Sequence, residues 1–219
     1  LGRLKYEWWE VVSVSTVYRY IYLYSPKWKK YLAHKSYGYR KKYGSRKWGN
    51  YKDIELTEVR EEKHNTREER WHTESDSVMC GSGKWGLTVN SDRYSRLVRM
   101  RKIESLEWEI VYRVMRRMLK WEIIKSITID NWVEFSKIRR FRKWYDIYRC
   151  RAYASWEKWW VENVNGIIRR EIPKWTIISE MTDEQIQEIE DRINHKPRKI
   201  LGYRTAYEVH YNTNLSYIP

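Results

Sequence analysis

Glycine is scarce in this chain: nine in 219 residues, about 4%, where roughly 7% is usual. Only two cysteines are present, Cys80 and Cys150. That is too few for a four-thiolate zinc site or a disulfide framework, and it fits a reducing, intracellular setting. Phenylalanine is also rare at two residues, and no long apolar run, signal-peptide pattern or basic amphipathic helix with a clean apolar face occurs. A spanning helix and an interfacial anchor are therefore not expected, and the chain reads as soluble. Its length suits one substantial domain with small appendages rather than two large domains.

Positive charge and tryptophan are abundant. Lys and Arg number 44 against 29 Asp and Glu, a formal net charge of +15, so a polyanion is the first partner to expect. Between Pro26 and Lys52 there are ten Lys or Arg and no acid, with five tyrosines interleaved. The segment is either an extended basic arm following a phosphate backbone, with Lys27, Lys29, Lys30, Arg40, Lys41, Lys42, Arg46 and Lys47 as DNA contacts, or a solvated linker. Ahead of it, Ser15 is placed to cap a helix carrying Val17, Tyr20 and Ile21 on one side. This is either the second helix of a partial helix-turn-helix over residues 1–25 or an ordinary packing helix. The chain opens at Leu1 rather than Met, so upstream sequence is expected to be missing. Residues 26–70 as a whole read as arm and connector.

Beyond Trp71 the pattern becomes short apolar strands followed by helices. Strands are expected at Thr73–Cys80, Trp85–Asn90, Leu97–Ile103, Ser126–Asp130 and Asp146–Cys150, with a turn at Gly81–Gly83. A helix is expected over Ser105–Lys120, with Leu106, Ile110, Val114 and Met118 recurring at helical spacing. Thr182 and Gln185 form a capping box before a helix whose Ile186, Ile189 and Ile193 make the buried stripe, and Pro197 ends it. The expected class is a layered α/β domain.

Three acids stand out in this frame. Asp130 closes the strand SITID at its C-terminal end, a common address for functional residues in α/β sheets. Glu162 falls in the first turn of a helix that also places Asn165, Gly166 and Arg169 on its polar face. Asp76 sits in a strand between two serines, where a carboxylate needs a cation or hydrogen bonds to compensate it. Converging, such carboxylates would make a hard-oxygen site for Mg²⁺ or Mn²⁺.

The segments STVYRYI (15–21), WHTESD (71–76), SDRYSRL (91–97), TIDNWVEF (128–135), YASWEKWWVENVNGIIRR (153–170) and NHKPRKILGYRTAYEV (194–209) resemble, in order and wording, the DDE transposases of the insertion-sequence-thirty family. The resemblance covers most of the chain. It implies a ribonuclease H-like integrase-type core at residues 71–172, a mixed five-stranded sheet flanked by helices, followed by a C-terminal helical extension at 173–219. It implies that Asp76, Asp130 and Glu162 bind two Mg²⁺ or Mn²⁺ ions and are catalytic, and that His72, Asn131 and Asn165 are auxiliary. Arg169 becomes a phosphate contact. The 31 residues between Asp130 and Glu162 are about two fewer than the resemblance calls for, with Glu134 as the nearest competitor, and Ser75 stands where glycine is expected. The implied function is cleavage and strand transfer at insertion-sequence ends by a homo-oligomer on double-stranded DNA, in the bacterial cytoplasm at the nucleoid. A truncated, non-catalytic derivative that represses transposition is the alternative; a ribonuclease H-like enzyme that cuts RNA fits the flanking segments less well.

Measured against that family pattern, Trp71, Trp132, Trp175, one of Trp159 and Trp160, and Trp85 fall where glycine belongs. Returning five glycines would bring the content to about 6%, close to the usual roughly 7%. Enrichment in aromatics for base stacking would place tryptophan near Lys and Arg, but not at glycine positions. The pattern points to a gene whose UGA codons mean glycine, written out here as tryptophan. UGA codons are expected at Trp132 and Trp175; UGG at both, read from the gene, would end the idea.

Overall fold

The computed structural model describes residues 2–7, 11–32, 55–56, 68–81, 85–120, 123–129, 144–150 and 159–212. The chain divides into two compact units, Leu1–Lys47 with Pro197–Arg204, and Trp48–Lys196 with Thr205–Pro219.

In the first unit, helices α1 (Gly2–Tyr6) and α2 (Val14–Leu23) are followed by a 3-10 helix over Pro26–Tyr31. The cap of α2 is Ser13, whose hydroxyl accepts the Thr16 N–H at 3.1 Å. Ser15, the expected cap, lies inside the first turn instead, with its hydroxyl 2.8 Å from that of Ser13. Val17 and Ile21 are half-buried, but Tyr20 is exposed, so the inward stripe is narrower than its periodicity implied.

The second unit is built on one sheet. Its strands are β1 (Glu55–Leu56), β2 (His72–Met79), β3 (Gly86–Asp92), β4 (Val98–Ile103), β5 (Ser126–Ile129) and β6 (Asp146–Arg149), in the order β1-β6-β5-β2-β3-β4. The β2, β3 and β4 strands are antiparallel; β5 runs parallel to β2, and β6 to β5. The five expected strands are all present, and the two residues of β1, from the stretch read as a connector, add a parallel edge to β6.

Both faces of this sheet are covered. Helix α3 (Trp108–Leu119) packs Val111, Met115 and Leu119 onto Ile103, Ile127, Ile129 and Ile147. Its buried stripe is one position on from the expected one: Val111, Met115, Met118 and Leu119 are buried, while Ile110 and Val114 are half-buried at its flank. Opposite, α4 (Trp159–Glu171) and α5 (Asp183–Asn194) bury Trp160, Val164, Ile168, Ile186, Ile189 and Ile193 against Val78, Leu87, Val89, Val98 and Met100. The Thr182–Gln185 capping box starts α5. Thus α5, in the stretch assigned to a separate C-terminal extension, belongs to the same core. It also closes the sheet's edge. The Asn194 amide accepts the Val98 N–H at 2.9 Å and donates to the Val98 carbonyl at 2.8 Å, and the buried Glu190 accepts the Met100 N–H at 2.6 Å. Edge groups that would otherwise invite another strand are satisfied by side chains. Helix α6 (Ala206–Tyr211) follows, capped by a second box from Thr205 and Glu208.

The tryptophans at expected glycine positions separate here. Trp71 has φ +76°, a left-handed backbone that bulky residues avoid and glycine adopts readily. Trp160 is buried, its indole N–H donates to Ser91 Oγ at 2.7 Å, and Arg96 lies over its ring at 4.7 Å. That position is built for an indole, so the expectation of a glycine narrows to Trp159 in the pair. Trp71→Gly is expected to leave the thermal midpoint unchanged or raise it, because relief of left-handed strain is worth about 1–2 kcal/mol. Trp160→Ala should cost about 3–5 kcal/mol. Calorimetry of both variants checks this, and a clear loss of stability in Trp71→Gly would contradict the backbone argument.

Candidate active site

Strands β2 and β5 run side by side in parallel, His72 opposite Ser126 and Glu74 opposite Thr128, so β5 ends at Ile129 beside the middle of β2. Asp76, two residues past Glu74 in the middle of β2, is half-buried. Its Oδ1 accepts the Ser77 N–H at 2.9 Å and its Oδ2 accepts from Asn165 Nδ2 at 2.7 Å. These bonds supply the compensation that a strand carboxylate requires.

Asn165 belongs to α4, which turns Val161, Val164 and Ile168 into the core and leaves Glu162 exposed in its first turn. Residues three apart on a helix share a face. Thus Asn165, bound to Asp76, stands one turn along from Glu162, and α4 carries Glu162 over the part of β2 that holds Asp76. Gly166, four residues on from Glu162, is exposed, and a Cβ placed there would meet nothing within 4 Å. No packing requirement explains a helix-weakening glycine at that point.

Asp130 follows β5 in sequence. It lies outside the described residues, as do Asn131, Glu134 and Trp132. Among the described residues no three His, Cys, Asp or Glu side chains come together as metal ligands.

Two expected members of the site are elsewhere. His72 is buried at the start of β2, four residues before Asp76 and so roughly 13 Å away along the strand. Its ring nitrogens meet Ser126 Oγ at 2.7 Å and Glu69 at 3.1 Å. It ties the beginnings of β2 and β5 together, rather than serving beside the acids. Arg169, expected as a phosphate contact, turns inward to the end of β2: its guanidinium donates to the Met79 carbonyl and to Cys80 Sγ at 3.0 Å. Of the basic residues singled out, Lys27, Lys29 and Lys30 are exposed on the 3-10 helix, with Lys29 4.8 Å from the Tyr22 ring and Lys30 4.9 Å from the Tyr31 ring. Arg40, Lys41, Lys42, Arg46 and Lys47 lie outside the described residues.

The residue missed in sequence is Glu74. It shares the Asp76 face of β2, is fully buried, accepts the Val161 N–H at 3.1 Å and pairs with Arg93 at 3.2 Å. The two-residue period of HTESD put Glu74 on that face; nothing in the string marked it as buried beneath a helix.

A sheet of three antiparallel and two or more parallel strands, with Asp76 on its central strand and a helix across it that carries Glu162, has the ribonuclease H-like fold of integrase cores. Solved structures agree on the fold. The catalytic core domain of BIV integrase superposes with a TM-score of 0.53 at 16% identity, over 65% of this chain and 94% of that one. A chain of the simian T-cell lymphotropic virus intasome in complex with PP2A regulatory subunit B56 gamma gives 0.54 at 16% identity, over 68% of this chain and 56% of that one. No family model matches.

Curated relatives give the family. The chain is 34% identical over 218 residues to the transposase for insertion sequence element IS4351 of Bacteroides fragilis, covering 95% of this chain and 66% of that protein. It is 33% identical over 151 residues to the probable transposase for insertion-like sequence element IS1161 of Streptococcus salivarius, covering 68% and 44%. With transposase InsI for insertion sequence element IS30A of Escherichia coli K12 it shares 26% over 167 residues, covering 74% and 44%. The chain belongs to the insertion-sequence transposases of the IS30 type. It spans about two thirds of the length of the first of these relatives and under half of the other two.

The inward turn of Arg169 has a consequence for binding. Arg169→Ala should lower stability by about 1–3 kcal/mol, through loss of charged hydrogen bonds to the end of β2, and leave the salt dependence of DNA affinity unchanged. A drop of about one in the slope of log K against log salt would instead mark it as a phosphate contact.

Proposed function

We propose that this chain is the catalytic part of a DDE transposase that cuts DNA at the ends of an insertion sequence and joins the freed 3′ end to target DNA. Asp76, Asp130 and Glu162 carry the reaction. The observation that supports it best is the Asp76–Asn165 bond, which places the strand acid beside the helix that presents Glu162. The family membership and the integrase-type fold point to the same chemistry.

The donors present suit a divalent cation. Both Asp76 oxygens are hard ligands oriented by N–H donors, and Asn165 Oδ1 beside them is a buried atom without a hydrogen-bond partner. Asp76, Asp130 and Glu162 would hold two Mg²⁺ or Mn²⁺ ions, which when bound neutralise charge building on the phosphodiester's attacking and leaving oxygens. The protein's own contribution is orientation. Asn165 and the Ser77 N–H fix the Asp76 carboxylate, and α4 fixes the origin of Glu162. The bare turn at Gly166 leaves room for a phosphate backbone beside Glu162. In the cutting step water adds to phosphorus and the 3′-oxygen departs; in the joining step that 3′-hydroxyl attacks a target phosphodiester and displaces its 3′-oxygen.

Binding follows from charge. The +15 balance and the run from Lys27 to Lys47 supply sequence-independent affinity for double-stranded DNA with a steep salt dependence. Pairing of two DNA ends calls for a homo-oligomer. None of the helices among the described residues is long and apolar enough to cross a membrane, and the bacterial cytoplasm, at the nucleoid, is the proposed place of action.

Cleavage of terminal-repeat DNA in Mg²⁺ tests this reading, on the chain as written and with glycine at positions 71, 132 and 175. Asp130→Asn and Glu162→Gln should each lower strand cutting about 10³-fold or more, equivalent to losing several kcal/mol of transition-state stabilisation, while DNA affinity and thermal midpoint stay put. An Asp130→Asn protein that still cuts and joins would refute the assignment. Binding without nicking in the glycine-restored chain would favour a non-catalytic repressor of transposition.

A further inference from the structure

Three consecutive residues lie in the first turn of α4, and two of them are held from outside the helix. Trp160 gives its indole N–H to Ser91 Oγ at 2.7 Å, and the Arg96 guanidinium covers its ring at 4.7 Å. Val161 gives its backbone N–H to Glu74 at 3.1 Å. The third is Glu162. The first N–H groups of a helix have no partner within it, and a carboxylate there satisfies one and complements the helix dipole. Here that carboxylate comes not from a neighbouring cap residue but from the central strand, 87 residues earlier in the chain. Its other oxygen faces the buried Arg93 at 3.2 Å.

Arg93 and Arg96 stand on one tight turn between β3 and β4. Asp92 shapes it: its Oδ1 accepts the Ser95 N–H at 2.6 Å and the Ser95 hydroxyl at 2.7 Å, and Arg96 adopts a left-handed φ of +64°. The turn therefore delivers two guanidinium groups to the start of α4, one through Glu74 and one directly onto Trp160.

We infer that the buried Glu74–Arg93 pair is a positioning device for Glu162, fixing the height and rotation of the first turn of α4 relative to Asp76. This rests on the function proposed above, in which Glu162 acts with Asp76. Stability alone does not account for the pair, because the cost of desolvating two charges cancels much of their attraction, and apolar residues of similar size usually hold a core as well. Direction is what the pair adds. Val161 is chained to β2, two residues from Asp76 on the same face, so the strand that carries one acid also sets the origin of the helix that carries the other. A one-residue slip of α4 would turn Glu162 by about 100° and shift it by about 1.5 Å, and the Glu74–Val161 bond forbids that slip.

The test compares Glu74→Gln, which keeps an acceptor for Val161, with the double variant Glu74→Met/Arg93→Met, which removes both charges and the acceptor but keeps the volume. Three readouts apply: amide hydrogen exchange in the first turn of α4, Mn²⁺ affinity by water proton relaxation, and cutting of terminal-repeat DNA. The double variant is expected to keep its thermal midpoint and DNA affinity. Its Val161 and Glu162 amides should exchange at least 10-fold faster, Mn²⁺ binding should weaken several-fold, and cutting should fall 10-fold or more. Glu74→Gln should restore most of each. Unchanged exchange at those amides, or unchanged Mn²⁺ affinity and cutting despite faster exchange, overturns the positioning role. A wild-type chain that neither binds Mn²⁺ nor cuts DNA overturns the function on which the proposal rests, a result the exchange measurement keeps separate from the anchor itself.

Discussion

A carboxylate sealed from water at the centre of a sheet is tolerable only with a cation and hydrogen-bond donors arranged around it. Glu74 meets that condition by drawing in Arg93 from the β3–β4 turn and an N–H from the first turn of α4. Much of the second unit follows from this requirement. The turn must be tight enough to return Arg93 under the sheet, and α4 must begin over β2 rather than beside it. Once it begins there, Val164, Ile168 and Ile172 fall on Val78, Leu87 and Val89, and the apolar layer completes the docking.

The middle of the sheet is polar in a way that a packing argument would not choose. Ser75, Asn90 and Ser91 are buried along β2 and β3; Ser75 donates to the Asn90 side-chain oxygen across the pair and Ser91 accepts the Trp160 indole N–H. Such groups are paid for in desolvation unless bonded, and bonded they fix register, since a one-residue slip would break each contact. The same logic operates at the far edge, where Asn194 reads Val98 through both backbone groups and Glu190 takes the next N–H along. Polar pairing thus locates α4 at one end of the sheet and α5 at its edge, while apolar contact supplies the bulk of the adhesion.

Strand positions, the α5 capping box and its isoleucine stripe were legible in the sequence because they depend on local chemistry with a fixed period. The placement of Asp76 on a strand and of Glu162 in the first turn of a helix was legible through their segments. What escaped depends on partners far away in the chain. HTESD announces that His72, Glu74 and Asp76 share a face, but their surroundings differ with distance along the strand: Ser126 claims His72, the backbone of α4 claims Glu74, and the Asn165 side chain meets Asp76. Arg169 shares the polar face of α4 with Asn165, yet one further turn carries it to the end of β2, at the Met79 carbonyl. The cap of α2 was missed by two residues because Ser13, Ser15 and Thr16 all offer hydroxyls, and only backbone geometry selects among them. The SDRYSRL segment, legible only as a resemblance, gains a physical meaning as the turn that supplies Arg93 and Arg96.

The tryptophans answer differently once each has a place. Trp160 has a hydrogen bond, a cation over its ring and a buried site, so the chain needs an indole there. Trp71 has a left-handed backbone and an edge contact to His210 at 5.1 Å, with its N–H held by Asp92 at 3.0 Å. The backbone there is dictated by the entry into β2 and by Asp92, not by the side chain, which is the signature of a position where glycine is the unstrained choice. Trp175 is exposed to 80% of its surface, a large apolar group gaining little from the fold. Base-stacking enrichment would put indoles on an accessible basic surface and would not select a strained residue at the start of the central strand. A glycine expected at Trp71 and Trp175 but not at Trp160 is the division that backbone angle and burial make independently of any family pattern.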